Sequence, residues 1–197
     1  PDFDIKCISS GNGLLTNFED QLRIACASLM AEAELLKGGF TLMGFSNGAL
    51  VARAVLQECD IGIYVRRLLI LGGPQSGVAL VPLLDKDLFI HKYIFALCVR
   101  SFFRTLLGPC EFAKDFWSQR DPANALARLN NYHVIDPKNR ARIEGLDLIL
   151  AMSFEGDTVV RPPNSGVFGF YKDEKMDELI ELEDTDLYKK DLIGLRK

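Results

Sequence analysis

Apolar residues follow two rhythms along this chain: steps of three and four, and short unbroken runs. Phe3 to Ile8 predicts a short strand, followed by a Gly-Asn-Gly turn at residues 11 to 13. From Phe18, the positions Leu22, Ala25, Cys26, Leu29, Ala33 and Leu36 recur at helical spacing and predict one helix of about five turns. Asn17 stands at its N-cap position, Asp20 lies in the first turn where the helix dipole favours an acid, and Gly38-Gly39 stops it. Phe40 to Phe45 is too short for a buried helix and predicts a strand buried on both faces. Asn47 to Cys59 predicts a helix with Leu50, Val51, Ala54 and Val55 on one side. Val65 to Leu71 predicts a strand ending in Gly72-Gly73-Pro74. The stretch from about 78 to 145 is helix-like and rich in aromatics, with breaks at Gly108-Pro109 and Asp121-Pro122, and Leu146 to Phe154 predicts a further strand.

Strands alternating with helices argue for a mostly parallel sheet with helices on both faces, a doubly wound α/β fold. The chain is then a single domain over 1–197, with 78–145 as a helical, cap-like insertion within it. In such sheets chemistry gathers where strands end and helices begin.

Composition narrows the field. Apolar residues at 48% and charged residues at 25% exclude a disordered chain. A net charge of −4 gives no basic excess of the kind a nucleic-acid-binding surface needs, so no nucleic-acid partner is expected. No apolar run is long enough to cross a bilayer; the greasiest region, Asp87 to Pro109, is interrupted by His91, Lys92, Arg100 and Arg104. The acidic run Asp173 to Asp186 reads as a solvated surface. The chain opens on Pro1 without a charged-then-apolar leader and stops at Gly194-Leu195-Arg196-Lys197, so it is expected to be a piece of a longer protein.

At the end of the Phe40–Phe45 strand stands Gly44-Phe45-Ser46-Asn47-Gly48, a G-x-S-x-G pattern between a predicted strand and a predicted helix. In a nucleophile elbow the serine sits on a turn so tight that the residues two before and two after must be glycine. Its hydroxyl is pushed above the sheet, and the following helix aims its positive end at the site. Ser46 is the candidate nucleophile, with Gly44 and Gly48 shaping the elbow and the Asn47 backbone N–H as an oxyanion donor. The competing reading is a Gly/Ser turn without chemistry.

Folds with this elbow place the triad in the order serine, acid, histidine. Asp157, in Phe154-Glu155-Gly156-Asp157-Thr158, follows the next strand and is the candidate acid; Glu155, immediately off the strand, is the competitor. Asp157 also reads as an ordinary turn former. The two histidines, His91 in the apolar insertion and His133 in Asn130-Asn131-Tyr132-His133, both precede Asp157, and neither fits the expected order. Without a base a serine hydroxyl is a poor nucleophile at neutral pH, so these 197 residues alone are expected to hydrolyse little.

Together with Ser10-Gly11-Asn12-Gly13, Leu50-Val51-Ala52-Arg53, Cys59-Asp60, Gly72-Gly73-Pro74, Phe154-Glu155-Gly156-Asp157, Phe168-Gly169-Phe170-Tyr171, Leu187-Tyr188 and Ile193-Gly194-Leu195, the elbow resembles the palmitoyl-protein thioesterase family, with a plant-type flavour. The resemblance runs in order over nearly the whole chain and is weak over roughly 84 to 145. It implies an α/β-hydrolase that cleaves thioester-linked palmitate from S-acylated cysteines, with Ser46 as nucleophile and Asp157 as triad acid. It also implies that the family's histidine lies beyond Lys197, and its first strand and second oxyanion donor before Pro1. S-palmitoylated proteins and other long-chain acyl thioesters are the implied partners, and a lysosomal, vacuolar or secreted site the implied compartment. This sequence departs from the family at Asn47, where glutamine is usual, at Gln75, where histidine is usual, and at Val167, where tryptophan is usual. A family cysteine pair is replaced by Leu84 and about Ile90.

The same resemblance implies a disulfide between Cys26 and Cys59; otherwise the two are buried thiols. Cys7, Cys98 and Cys110 have no assigned partner. Six of the thirteen Phe and the single Trp fall between Asp87 and Trp117, which suits either an acyl groove or an ordinary cap core. The two histidines are far apart and no C-x-x-C occurs, so no metal or cofactor is expected. Competing functions are a lipase or carboxylesterase of the same fold, and a catalytically dead acyl-binding relative.

Overall fold

The computed structural model describes residues 4–11, 16–79, 124–172 and 177–196. A parallel sheet of three strands organises them, in the order β1 (Phe40–Phe45), β2 (Val65–Leu71), β3 (Leu148–Met152). Gly44, Ile70 and Ala151 lie in one row across it, and Phe45, Leu71 and Met152 in the next. All three strands therefore end at one rim. The predicted β1 and β2 boundaries match the observed ones, and β3 is shorter than the apolar run that announced it.

Two helices precede β1: α1 (Phe18–Met30) and α2 (Ala33–Leu36). The single long helix expected from the apolar spacing is thus broken at Ala31–Glu32. At the break Glu32 pairs with Lys6, while Ala33 and Leu36 still pack on the same core as α1. Asn17 caps α1 as expected, its side chain accepting the Asp20 N–H at 2.9 Å. No strand forms over the described residues of the Phe3–Ile8 segment. A strand needs a neighbour for its backbone groups, and this segment pairs with neither edge of the sheet; instead Ile8 packs on the α1 core and Ile5 stays exposed.

Helix α3 (Asn47–Glu58) connects β1 to a 3₁₀ turn (Asp60–Tyr64) that leads into β2. It is the hub of the core, with Ala49 to Gln57 all buried. One of its sides packs on Phe18, Leu22 and Leu29 of α1 with Leu126 and Leu129 of α4 (Ala125–Leu129). The other packs on Leu68 and Ile70 of β2, with Ile143 of α5 (Pro137–Glu144) and Leu187 of α6 (Asp186–Lys189). A helix buried all round needs apolar residues on every side, and each Leu or Val so enclosed contributes about 1.5–3 kcal/mol. A two-stranded antiparallel ribbon, β4 (Phe170–Tyr171) with β5 (Leu179–Ile180), lies between β3 and α6.

β1 is not buried on both faces. Leu42 and Gly44 face α3, but Met43 and Phe45 are 64% and 67% exposed. Leu148, Leu150 and Met152 continue this exposed apolar face on β3. Among the described residues the helices cover only the opposite face. Most of the expected 78–145 insertion, including His91, Cys98 and Cys110, lies outside the described residues; its C-terminal end supplies α4 and α5, the latter packed on α3.

A disulfide joins Cys26 on α1 to Cys59 just past α3, with Cα atoms 5.8 Å apart. It ties α1, before β1, to the end of α3, after it. Cys7 is free and exposed.

Candidate active site

Ser46 follows β1 directly and has φ 53°, ψ −129°, a left-handed backbone that costs a non-glycine residue about 1–3 kcal/mol. Two hydrogen bonds hold it there: its N–H donates to the Leu71 carbonyl at 2.8 Å, extending the ladder with β2, and its carbonyl accepts the Ala49 N–H at 3.0 Å. Ser46 occupies the N-cap position of α3, yet its hydroxyl caps nothing. By contrast Asn17, Asn124, Asp136 and Thr185 all cap their helices with side-chain oxygens. The Ser46 hydroxyl is thus not consumed by capping. Asn47 begins α3, and its N–H is among the helix-start donors that the helix itself cannot satisfy.

Steric necessity is unequal at the two elbow glycines. A Cβ on Gly44 would stand 2.3 Å from the Gly48 carbonyl oxygen and 2.4 Å from Ala49 Cα, both backbone atoms. A Cβ on Gly48 would meet nothing within 4 Å. The backbone therefore leaves no room for a side chain at Gly44, which packs against the first turn of α3, whereas Gly48 faces open space.

The end of β2 closes in on the same rim. Gly73 approaches the elbow so closely that a Cβ would lie 2.5 Å from Ala49 Cβ and 3.0 Å from the Ser46 carbonyl oxygen. Gly72, at φ +57°, gives up its side-chain space to the Phe154 ring and donates its N–H to Met152 at 2.8 Å. The Phe154 ring in turn lies 6.2 Å from that of Phe45.

Asp157 ends the turn that Phe154 begins, its N–H donating to the Phe154 carbonyl at 2.9 Å. Its Oδ1 accepts the Val159 and Val160 N–H groups at 2.8 and 2.9 Å. Asp157 is thus a turn former, and among the described residues its second oxygen remains open to a partner. It is half-buried, whereas Glu155 is exposed. Ser46 and Asp157 follow the C-terminal ends of β1 and β3, on one rim with β2 between them; β1 and β3 themselves lie about 10 Å apart at two strand spacings. His133 is exposed on the turn between α4 and α5.

Several buried polar residues lie behind this rim, with contacts that the sequence alone does not assign. Gln21, on the core-facing side of α1, donates Nε2 to the Thr16 carbonyl at 2.7 Å and accepts Asn47 Nδ2 at 2.7 Å. Arg53 is fully buried on α3, donating to Asn130 Oδ1 at 2.7 Å and to the Gln75 carbonyl at 3.3 Å, with its guanidinium 5.3 Å from the centre of the Phe168 ring. Burial pushes its pKa down to about 9, a shift partly opposed by Tyr132 and Glu58; it stays protonated at neutral pH. Arg53 thereby ties α3 to the loop after β2 and to the turn beyond Asp157. Gln75 is itself fully buried, and among the described residues neither of its amide atoms has a partner. The available signal was polar residues at core-facing helical positions: Gln21 falls three residues after Phe18 and four before Ala25.

A parallel sheet with a strained serine between strand and helix, and a later strand followed by a turn aspartate, defines the class of the fold, an α/β-hydrolase. The sequence profile of the palmitoyl protein thioesterases matches residues 3–197, and the chain belongs to that family. It is similar to palmitoyl-protein thioesterase 1 of Caenorhabditis elegans, 28% identical over 94% of this chain and 64% of the relative. It is also similar to a palmitoyl-protein thioesterase-dolichyl pyrophosphate phosphatase fusion of Schizosaccharomyces pombe, 32% identical over 94% of this chain and 32% of the relative. Palmitoyl-protein thioesterase 3 of Dictyostelium discoideum is 26% identical over 100% of this chain and 70% of the relative. The chain thus spans less than two thirds of the length of the first two.

Proposed function

We propose that this chain carries the nucleophile half of a serine thioesterase acting on S-palmitoylated cysteines in proteins. Ser46 Oγ attacks the thioester carbonyl carbon while a histidine takes its proton. The negative charge that forms on the carbonyl oxygen is received by the Asn47 N–H at the positive end of α3. Collapse expels the cysteine thiolate, which takes up the proton from the histidine, and leaves a Ser46 acyl ester. Water, activated by the same histidine, then releases the fatty acid and restores Ser46. A cysteine thiol has a pKa near 8.5, so its thiolate leaves more readily than an alkoxide and makes a lighter demand on the acid step.

In this reading Asp157 orients the histidine through its second oxygen, while Oδ1 holds the turn. The histidine comes from outside these 197 residues, since His91 and His133 both precede the acid. No metal or cofactor takes part. The Cys26–Cys59 disulfide supports an oxidising compartment, lysosomal, vacuolar or secreted. Among the described residues no helix is long and apolar enough to cross a membrane.

The observation that carries the proposal is the left-handed Ser46, forgoing its helix cap on Gly44's tight contact with α3. The full-length protein, assayed on a palmitoylated peptide and on a matched oxygen ester, tests it. A higher kcat/KM on the thioester is expected. Preference for the oxygen ester would make it a lipase or carboxylesterase, and binding without turnover a catalytically dead relative.

A further inference from the structure

The side chain next to the nucleophile is held from behind by another helix. Asn47 Nδ2 donates to Gln21 Oε1 at 2.7 Å, and Gln21 Nε2 donates to the Thr16 carbonyl at 2.7 Å. Each bond sets the polarity of the next. A backbone carbonyl only accepts, so Gln21 must turn Nε2 toward Thr16; Oε1 only accepts, so Asn47 must present Nδ2. The remaining atom, Asn47 Oδ1, is buried and, among the described residues, accepts nothing.

An unpaired oxygen there has a physical consequence. Asparagine side chains at helix starts readily accept backbone N–H groups of the first turn. The Ala49 N–H is already held by the Ser46 carbonyl, and the Asn47 N–H among them is the one an oxyanion would use. An Asn47 carboxamide free to rotate could satisfy Oδ1 on them, competing with substrate. Gln21 prevents this by fixing the opposite end of the amide to α1.

Resting on the reading of Asn47 as an oxyanion donor, we propose that Gln21 is a positioning residue: its hold on Asn47 Nδ2 keeps Asn47 Oδ1 off the first-turn amides of α3 and leaves the Asn47 N–H directed to the developing oxyanion. Gln21 touches neither substrate nor Ser46 in this role. It acts only through Asn47, and that dependence separates it from a residue that merely supports the fold.

The test is a double-mutant cycle on the full-length protein, read by the rate of Ser46 labelling with an alkyl fluorophosphonate, whose phosphonyl oxygen occupies the oxyanion position, alongside kcat, KM and Tm. Gln21→Met is expected to slow labelling and kcat about tenfold with KM little changed. In an Asn47→Ala background, where no carboxamide is left to restrain, the same Gln21→Met change is expected to cost less than about twofold. Gln21→Glu, which keeps an acceptor facing Asn47, is expected to regain labelling to within about threefold of wild type. An equal loss in both backgrounds overturns the proposal, as does wild-type labelling by Gln21→Met. Should Gln21→Met not fold, a folded Gln21→Glu protein labelling more than about tenfold slowly overturns it. If the wild-type protein itself does not label at Ser46, the underlying nucleophile reading fails instead.

Discussion

The rings of Phe45 and Phe154 meet across the end of β2, centroids 6.2 Å apart and planes tilted by 57°. Phe45 immediately precedes Ser46, and Phe154 opens the turn that ends in Asp157. The contact links the two turns that carry the proposed chemistry, and the missing side chain at Gly72 gives the Phe154 ring its place.

Asp157 has two tasks that substitution separates. Asp157→Asn retains an oxygen for the Val159 and Val160 N–H groups and is expected to keep Tm within about 2 °C, while kcat falls about 10³- to 10⁴-fold. Asp157→Ala removes the turn bonds as well and is expected to lose a further ~1 kcal/mol of stability. Thermal melts and steady-state kinetics on both variants measure the split; equal activity of Asp157→Asn and wild type would remove Asp157 from the triad.

The elbow glycines are expected to respond oppositely. Gly44→Ala drives a methyl into the backbone of Gly48 and Ala49, which cannot yield without moving α3, so soluble folded protein should be lost or Tm should drop steeply. Gly48→Ala points into open space within a helix and should leave Tm unchanged or raise it, by up to about 1 kcal/mol of stability. Melting curves of the two variants decide it.

Arg53 is a buried cation that faces only neutral acceptors in its hydrogen bonds. Arg53→Ala leaves a cavity and an unpaired Asn130 oxygen, an expected loss of about 3 kcal/mol or more. Arg53→Met fills the volume and removes the desolvated charge, and should cost less, about 1–2 kcal/mol. Because the native state releases this proton more readily than the unfolded chain, the Arg53 contribution lets stability rise with pH only above about pH 9 and is constant below it. Denaturant titrations at neutral pH test the order of the two variants.

The Cys26–Cys59 disulfide closes a separation of 33 residues. In the chain-entropy model this contributes about 4 kcal/mol. Reduction, or Cys26→Ala with Cys59→Ala, should therefore lower Tm by about 8–16 °C. A shift under about 2 °C would mean that the unfolded chain is already restrained in this region.

What could be read in advance follows from where the information lies. β1, β2 and α3 are set by local runs of apolar residues and by glycines at their ends, and these boundaries are visible along the chain. The break between α1 and α2 is not, because it coincides with a distant ion pair from Lys6 to Glu32. The lost first strand depends on an absent pairing partner, and the exposed face of β1 on what the described helices leave uncovered. Ser46 and Asp157 are candidates on motif and order alone; the contacts of Gln21 and Arg53 carry no such mark, since their partners lie 26 and 77 residues away along the chain.

The most direct test of the account is a mass-mapped fluorophosphonate reaction on the full-length protein. A single adduct on the peptide containing Ser46, abolished by Ser46→Ala in a protein that still folds, is the expected result. No adduct on that peptide, or labelling that survives Ser46→Ala, would contradict it.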